Sequence, residues 1–400
     1  MIPYGRQDVT TEDIDSVVEV LKSDFLTQGP CVPRFEHQVA RRVGVSHAVA
    51  MNSATSALHV ACLALGLGPG DRLWTVPNTF VASANCGLYC GAEVDFVDID
   101  SATWNISIER LKQKLVEAKK SGCLPKVIVP VHFAGQPPDQ EAIWELAQRY
   151  GFRVLEDASH SLGATRHGEP VGSCRWSDIT VFSFHPVKII TSGEGGLALT
   201  KDESLSESMR LYRSQGVTRN KASFKLPHHF HEEGERPFGD WPAWYYEQQL
   251  LGFNYRLTDI QAALGASQLE RLDSYILRRN ELACRYDASL RDLPLQLPSL
   301  RPGNRSAFHL YVVRLQRSFP ANTHRRVFDD LRRMGIGVNL HYMPVHLQPY
   351  YRDLGFAPGQ YPEAEIHGRS AITLPLYPAL SDSMQDRVID CVRKALSDLI

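Results

Sequence analysis

Residues 179–200 read ITVFSFHPVKIITSGEGGLALT, in which an apolar strand runs into a polar turn that holds one lysine, Lys188. A lysine at the end of a buried strand is costly, because desolvation disfavours the ammonium form and lowers the pKa of the side chain. An amine with a lowered pKa can form a Schiff base with an aldehyde. The alternative is an ordinary strand-end lysine whose ammonium group reaches solvent. A second group near Lys188 is needed to choose between the two.

A second apolar strand, earlier in the chain, supplies an aspartate. Residues 153–163 read RVLEDASHSLG, and Asp157 stands at the carboxyl end of this strand, where open α/β sheets place their ligand sites. Pyridoxal phosphate needs a lysine for its aldehyde and an anion beside its pyridine nitrogen. The anion keeps that nitrogen protonated, so that the ring can act as an electron sink. Lys188 and Asp157 together therefore predict a pyridoxal phosphate site.

A third segment predicts a site for the phosphate group. Residues 52–59 read NSATSALH, between a predicted strand at 47–51 and a predicted helix at 55–65. The backbone N–H groups and the dipole at a helix N-terminus favour a dianion, although serine and threonine caps are common and carry little weight alone. Phe80 follows the next predicted strand, and its ring is expected either to stack on the cofactor or to pack in the core.

The order of strands and helices predicts an α/β fold. Apolar strand candidates recur along the first half of the chain, most of them separated by helical patterns such as 108–118 and 141–150. They lie at 47–52, 72–77, 93–98, 126–132, 153–157, 179–184 and 195–200. Such alternation is typical of a mostly parallel sheet that helices cover on both faces. A polar segment with several prolines and glycines, 218–244, is predicted to form a long loop.

The last third of the chain predicts a second, smaller domain. A chain of 400 residues exceeds one typical domain, and a long helix is predicted from residue 257 to residue 290. Beyond it lie a predicted strand at 310–315, a helix at 325–334, a strand at 338–341 and a last helix at 382–396. We therefore expect a large N-terminal domain over 1–258 and a smaller C-terminal α/β domain over 259–400.

Composition favours a globular metabolic enzyme. The formal net charge of −2 argues against binding to a nucleic acid backbone, which requires a basic face. The first residues lack a basic region followed by an apolar core, so no signal peptide is predicted, and no apolar stretch approaches the length of a membrane span. The 8 cysteines include no Cys-x-x-Cys pair, which favours reduced thiols in the cytoplasm. We expect neither a nucleic acid nor a membrane partner.

Three other patterns leave alternatives open. The run of histidine and glutamate at 228–233 has the ligand types that zinc prefers, but it falls in the proline- and glycine-rich loop, so a solvated loop is favoured and no metal is predicted. Residues 193–196, Gly-Glu-Gly-Gly, match no nucleotide-binding glycine motif and are expected to form a tight turn. His309 and His341 are each equally consistent with a packed core histidine and with a substrate contact.

The chain resembles, nearly end to end, the DegT/DnrJ/EryC1/StrS family of sugar aminotransferases, which act on nucleotide-linked keto-sugars. The segments that carry the resemblance are 26–29, 52–59, 79–85, 156–163, 183–196, 252–256 and 341–342. The resemblance implies the fold-type I architecture of pyridoxal phosphate enzymes, with pyridoxal 5'-phosphate as the cofactor. It also implies L-glutamate as the amino donor, a UDP-linked keto-sugar as the acceptor, and a homodimer.

The resemblance assigns roles to residues at the matching positions. Lys188 would hold the cofactor and act as the catalytic residue. The other implied cofactor contacts are Ala54, Thr55 and Ser183 at the phosphate, Phe80 on the ring face, Asp157 at the pyridine nitrogen, His160 near the ring hydroxyl, and Asn254, which would reach the phosphate bound in the neighbouring subunit. The implied substrate contacts are Tyr4, Leu26, Thr27, His309, Asn339, Leu340, His341 and Tyr342.

Two competing interpretations keep the family scaffold but change the function. A non-catalytic or regulatory protein is expected to lose the lysine or the aspartate, and both are present. Some relatives are sugar dehydratases that use the same cofactor but carry histidine in place of the lysine, and Lys188 argues against that chemistry. An aminotransferase is therefore the predicted function.

Overall fold

The structure, a computed structural model, describes residues 1–225, 241, 243–316, 319–320 and 322–397. The histidine and glutamate run at 228–233 lies outside the described residues, as does most of the loop predicted at 218–244. A short pair of antiparallel strands, Val217–Thr218 and Glu247–Gln248, lies at the two ends of that loop.

The strands and helices follow one another along the chain. The strands are β1 (His47–Met51), β2 (Arg72–Thr75), β3 (Glu93–Phe96), β4 (Val127–Ile128), β5 (Arg153–Asp157), β6 (Thr165–Arg166), β7 (Glu169–Pro170), β8 (Ile179–Ser183), β9 (Gly196–Thr200), β10 (Val217–Thr218), β11 (Glu247–Gln248), β12 (Leu295–Gln296), β13 (Asn304–Arg305), β14 (Tyr311–Leu315) and β15 (Ala371–Leu374). The helices are α1 (Thr11–Leu21), α2 (Cys31–Val43), α3 (Ala54–Ala64), α4 (Ala82–Tyr89), α5 (Ile108–Ser121), α6 (Gln140–Tyr150), α7 (Glu203–Arg213), α8 (Asp259–Leu269), α9 (Leu272–Leu290), α10 (Thr323–Arg333), α11 (Pro349–Asp353), α12 (Pro362–Gly368) and α13 (Asp382–Leu396).

The central sheet has seven strands in the order β1–β9–β8–β5–β4–β2–β3. The run β8–β5–β4–β2–β3 is parallel, whereas β9 is antiparallel to both β1 and β8. The seven predicted strands all lie in this sheet, and the prediction of an α/β fold with a mostly parallel sheet is confirmed. Parallel pairing places the carboxyl ends of β2, β4, β5 and β8 along one edge, where side chains from separate motifs meet.

Apolar cores cover both faces of the central sheet. On one face, Phe182 and Leu199 pack with Phe35 of α2. On the other face, Val181 and Ala198 belong to a second core that includes buried residues of α3. Adjacent positions on β8 and β9 therefore point to opposite cores, as the two-residue period of a strand requires. A strand that is buried on both faces is mostly apolar, and the one polar side chain inside β8, Thr180, donates its hydroxyl to Glu156 Oε2 over 2.7 Å.

A smaller antiparallel sheet, in the order β12–β14–β15, lies in the last third of the chain. Its apolar face packs with α10 and α13, and residues of α9 complete this core. The predicted last helix is confirmed as α13, and the predicted strand at 310–315 and helix at 325–334 are confirmed as β14 and α10. The division of the chain between residues 258 and 259 stays a prediction.

The strand predicted at 338–341 is wrong. Only Asn339 pairs there, in an isolated bridge with Thr373, and the strand beside β14 is β15. The residues that follow Asn339 leave the ladder for other partners. His341 Nδ1 lies 2.8 Å from the Thr373 hydroxyl, and Tyr342 N donates to Asn78 Oδ1 over 3.2 Å. This segment therefore stays beside β15 through the His341 side chain, while its backbone binds Asn78 instead of extending the sheet.

The single long helix predicted from 257 to 290 is also wrong, because the chain forms two helices, α8 and α9, that break at 270–271. Arg271 leaves the helical conformation, with φ −100° and ψ 5°. The cause is Asp13 of α1, which is fully buried and accepts hydrogen bonds from the Ser267, Gln268 and Arg271 side chains. Among the described residues, no helix combines the length and the hydropathy that a membrane span requires.

Candidate active site

A cavity of about 940 Å³ lies at the edge where the parallel strands end. It brings together most of the residues that the sequence singles out. The predicted residues that line it are Tyr4, Ala54, Thr55, Phe80, Asp157, His160, Ser183, Lys188, His309, Asn339, Leu340, His341 and Tyr342. The cofactor contacts and the substrate contacts thus share one space, although they come from distant parts of the sequence.

Lys188 lies in the turn after β8 and faces this cavity. Burial lowers the pKa of its amine to about 8, against the opposing charge of Asp157. The partial burial of Lys188 and its place in the cavity lining favour a cofactor lysine over an ordinary strand-end lysine in solvent. At neutral pH a useful fraction of this amine is uncharged, and an uncharged amine is the nucleophilic form.

Asp157 ends β5 on the same side of the sheet, and only 6% of its surface is exposed. One carboxylate oxygen accepts a hydrogen bond from the Ser83 hydroxyl (2.6 Å), and the other accepts from the hydroxyl (2.5 Å) and the backbone N–H (3.2 Å) of Ser159. These donors fix the orientation of the carboxylate. The result is a rigid anion on the wall of the cavity.

Helix α3 begins at Ala54, one residue before the predicted start, and presents its N-terminus to the cavity. Ser53 caps the helix, because its hydroxyl accepts from Ser56 N over 3.1 Å. Gly196 of β9 lies directly behind this turn, and a Cβ at that position would overlap the backbone of Ser53 and Ala54. A glycine is therefore required for the close approach of β9 to the helix start. The free N–H groups of the first turn are suited to an anion.

Phe80 is 60% exposed and lines the cavity, so its interpretation as a core residue is wrong. Pyridoxal phosphate requires an aromatic face for its ring, an anion for its pyridine nitrogen, an amine for its aldehyde and a helix N-terminus for its phosphate. The cavity offers all four, in Phe80, Asp157, Lys188 and the start of α3. The residues present therefore fit this cofactor. Lys188 would hold it, Asp157 would face its pyridine nitrogen, and Ala54, Thr55 and Ser183 would hold its phosphate.

Three histidines also line the cavity. His160 Nε2 lies 3.2 Å from the Tyr342 hydroxyl, while its Nδ1 is buried without a partner among the described residues. The rings of His160 and His309 are 4.4 Å apart. Burial, followed by the charge of Lys188, moves the pKa of His160 well below its ordinary value and lowers the pKa of His341 to about 3. These histidines are therefore neutral at physiological pH, and they act as polar contacts without charge.

Leu26, Thr27 and Asn254 do not line the cavity of their own chain. All three are exposed. Thr27 forms a bridge with Thr258, and Asn254 forms a bridge with Ser214. The roles that the resemblance gives to these three residues stay predictions.

The cavity also includes residues that the sequence analysis did not single out. They are Asn52, Ser53, Ser56, Leu58, Thr79, Ala82, Val131, Ser159, His185, Val187, Glu194 and Gln261. Most of them belong to the quoted motifs, and their position beside a predicted contact is the signal that identifies them. Gln261 is different, because it lies on α8, where its amide donates to the Glu194 carbonyl over 3.0 Å. No sequence signal pointed to Gln261.

No group of three or more histidine, cysteine, aspartate or glutamate residues suited to a metal occurs within the described ranges. The residues at 228–233, for which a solvated loop was favoured over a zinc site, lie outside those ranges. That prediction stays open.

A model of the DegT/DnrJ/EryC1/StrS aminotransferase family matches residues 7–393. The spore coat polysaccharide biosynthesis protein SpsC of Bacillus subtilis is 38% identical over 395 residues, which is 98% of this chain and 96% of SpsC. The match therefore extends over both the central sheet and the last third of the chain.

Two solved structures have the same fold over their full length. Helicobacter pylori PseC, an aminotransferase involved in the biosynthesis of pseudoaminic acid, is 30% identical, with a TM-score of 0.88 over 99% of each chain. The PLP-form of Spr1654 from Streptococcus pneumoniae is 27% identical, with a TM-score of 0.87 over 100% of this chain and 99% of that one. The fold-type I architecture predicted from the resemblance is thereby confirmed.

Proposed function

Because this chain belongs to the DegT/DnrJ/EryC1/StrS aminotransferase family, whose members depend on pyridoxal phosphate, we propose that it moves the amino group of L-glutamate to C4 of a UDP-linked 4-keto-6-deoxy-N-acetyl-hexosamine. The observation that carries the proposal is the single cavity in which Lys188 and Asp157 face a wall of tyrosine and histidine side chains. An amine and an anion serve the cofactor, and aromatic polar side chains suit a nucleotide-linked sugar.

Lys188 has two tasks in this proposal. It holds the cofactor covalently between turnovers, and its freed amine accepts the proton from Cα of L-glutamate and later delivers a proton to C4 of the sugar. A pKa of about 8 supports both tasks, because an amine poised near the working pH can take up and release a proton. Pyridoxal phosphate, when bound, supplies the electron sink for these proton transfers. Since one base serves both half-reactions, we expect ping-pong kinetics.

Asp157 would keep the pyridine nitrogen protonated. Three hydrogen bonds from Ser83 and Ser159 support this role, because they hold the carboxylate in a fixed orientation. His160 would lie near the ring hydroxyl, and Tyr342, whose hydroxyl contacts His160, would connect the cofactor to the substrate contacts.

The active site is proposed to be shared between two chains of a homodimer. The supporting observation is that Leu26, Thr27 and Asn254, which match family site positions, lie outside the cavity and near one another. Asp259 N donates to the Leu26 carbonyl over 3.0 Å, and Thr27 pairs with Thr258, four residues after Asn254. Exposed Leu251, Leu26 and Phe25 lie along the same stretches. In a dimer, this surface would supply Asn254 to the phosphate and Leu26 and Thr27 to the sugar of the partner.

The specific substrate proposed is UDP-2-acetamido-2,6-dideoxy-β-L-arabino-hex-4-ulose, and the enzyme would be the UDP-4-amino-4,6-dideoxy-N-acetyl-β-L-altrosamine transaminase of pseudaminic acid biosynthesis, in the cytoplasm. Likeness to PseC supports this, as does the sequence around Lys188, at 214–216 and at 244–248. The second candidate is another nucleotide 4-keto-6-deoxy sugar, such as the D-xylo epimer used for bacillosamine-type sugars or a perosamine-type precursor. The second candidate is retained because SpsC, which is similar to this chain, is named for spore coat polysaccharide biosynthesis and not for pseudaminic acid.

Product analysis distinguishes these substrates. The enzyme is incubated with L-glutamate and each keto-sugar separately, and the configuration at C4 of the product is determined by NMR. The proposal expects the L-arabino substrate to be aminated fastest. A clear preference for the D-xylo epimer would overturn the specific substrate and leave the aminotransferase assignment standing.

A further inference from the structure

Arg279 of α9 is a buried charge for which the described part of the chain offers no carboxylate partner. The residue is 1% exposed, and its Nη1 donates to the carbonyl oxygens of Phe308 (3.2 Å), His309 (3.2 Å) and Leu376 (3.0 Å). Its Nε has no partner, and burial lowers the pKa of the guanidinium to about 10. An uncompensated buried charge is strongly destabilising, so its presence calls for a role beyond packing.

The backbone that carries His309 is held from two sides. Arg279 binds its carbonyl on one side. On the other side, a Cβ at Gly135 would lie only 2.7 Å from Phe308 N and 2.9 Å from His309 N, and Leu310 N donates to the Ala134 carbonyl over 3.2 Å. Phe308 itself has a φ of 42°, a conformation that is uncommon outside glycine. A segment fixed in this way places the His309 side chain with little freedom.

The His309 imidazole has unused hydrogen-bonding capacity inside the cavity. The residue is 4% exposed and lines the cavity, and Nδ1 has no partner in the described structure. The groups that face it are His160, Lys188, Arg279 and His341; burial and these charges move its pKa well below the ordinary value. Because Nδ1 is enclosed by protein atoms, Nε2 is the ring nitrogen left to contact a ligand in the cavity. With no acceptor beside Nδ1, the neutral ring can carry its proton on Nε2 and donate from there.

We propose that His309 is a neutral hydrogen-bond donor to the keto oxygen at C4 of the sugar, and that Arg279 is the positioning residue that fixes His309 for this contact. The inference deepens the proposed function and rests on it. A neutral imidazole still carries one N–H, which can donate to a carbonyl oxygen. The hydrogen bond orients the ketone and draws electron density toward its oxygen, so that C4 becomes more electrophilic. His309 transfers no atom in this role.

Ligand binding separates this contact from a purely steric one. The protein loaded with pyridoxal phosphate has no amine to give to a ketone, so the affinities for the UDP-linked 4-keto-6-deoxy sugar and for its 4-deoxy analogue are measured by calorimetry without turnover. His309→Phe is expected to weaken binding of the keto-sugar about five- to tenfold and binding of the analogue less than about twofold. His309→Gln, which keeps an N–H donor, should restore part of the loss. Equal weakening for both ligands, or none, would overturn the contact.

The role of Arg279 is measured on His309 itself. In protein with 15N-labelled histidine, the His309 signal is assigned by its loss in His309→Gln. We expect the imidazole to stay neutral between about pH 5.5 and 8.5 in the wild type and in both Arg279 variants, because burial, the largest cause of its lowered pKa, remains. The chemical shifts of the ring nitrogens should move in Arg279→Met, because the His309 carbonyl loses its hydrogen bond to the guanidinium.

Unchanged His309 chemical shifts and unchanged keto-sugar binding in Arg279→Met, with only a loss of stability, would contradict the positioning role. If Arg279→Met does not fold, Arg279→Lys is used in its place. The lysine keeps the charge but lacks the guanidinium that bonds three carbonyls, so it should move the His309 chemical shifts and weaken keto-sugar binding, and wild-type values for both would overturn the role. If the wild type binds neither sugar, the substrate proposal fails, while the His309 chemical shifts still decide the role of Arg279.

Discussion

The cavity has two walls that differ in how their polar atoms are satisfied. The strand-end wall, Asp157 and Lys188, follows two adjacent parallel strands, and Asp157 accepts hydrogen bonds from Ser83 and Ser159. The histidine wall, His160, His309 and His341, comes from three parts of the chain, and the Nδ1 atoms of His160 and His309 have no partner within the described residues. The strand-end wall is preorganised by hydrogen bonds within the protein. The histidine wall contains ring nitrogens that the protein leaves unpaired.

The largest effect is expected at the strand-end wall. Lys188→Ala removes both the attachment point of the cofactor and the proposed base, so turnover should fall by at least about 10⁴-fold. Loss of the cofactor's visible absorption and the rate of sugar amination are both measured. Lys188→Arg keeps the charge and should be equally inactive. Normal turnover by Lys188→Ala would show that Lys188 neither holds the cofactor nor acts as the base.

Asp157→Asn tests whether the strand-end wall acts through its charge. The amide keeps the size of the carboxylate but cannot stabilise a protonated pyridine nitrogen, so we expect cofactor binding to persist while kcat falls about 10²- to 10³-fold. The matched control is Ser159→Ala, which removes a hydrogen bond to Asp157 but leaves its charge in place and should cost much less. If Asp157→Asn kept the full rate, the orientation of the ring assumed here would be wrong.

A mixing experiment tests the residues that belong to neither wall of their own chain. Lys188→Ala and Asn254→Ala chains should each be inactive or nearly so as homodimers. In a heterodimer, one site regains both an intact lysine and an intact asparagine, so an equal mixture should recover about a quarter of wild-type activity. The formation of heterodimers is confirmed by tag-based capture. No recovery in proven heterodimers would contradict a shared site.

The smallest expected effect is a pH dependence of cofactor uptake. The pKa of Lys188, lowered to about 8 by burial, means that the reactive neutral amine increases as the pH rises toward that value. The rate at which the cofactor-free protein attaches pyridoxal phosphate should therefore rise about tenfold per pH unit below pH 8 and level off above it. Stopped-flow absorption measures this rate. A rate that keeps rising to pH 10 would show that the amine has an ordinary pKa.

The two walls also differ in how far the sequence predicts them. Lys188 and Asp157 are predictable because each ends an apolar strand, and parallel strands bring their ends to one edge of a sheet. His309 and His341 left two interpretations open, because a histidine in an apolar segment gives no local signal of what it faces. Arg279 gave no signal at all, since its three backbone partners are set by tertiary contacts.

The two errors in the fold have the same origin. The break between α8 and α9 depends on the buried Asp13, which lies more than 200 positions away in the sequence. The segment that holds Asn339 does not extend the small sheet, and the backbone N–H of Tyr342 binds Asn78 instead of a strand. In both places the local sequence favours the predicted helix or strand, but hydrogen bonds to residues distant in the sequence accompany a different structure.

Single-turnover transfer of labelled nitrogen tests the central claim most directly. The loaded protein is mixed with [15N]L-glutamate, separated from free amino acid and keto acid, and then given the UDP-linked keto-sugar alone. The account predicts one equivalent of amino-sugar per chain, with 15N bonded to C4 as seen by NMR, and none from Lys188→Ala. Unaltered keto-sugar, or a product whose nitrogen carries no label, would contradict it.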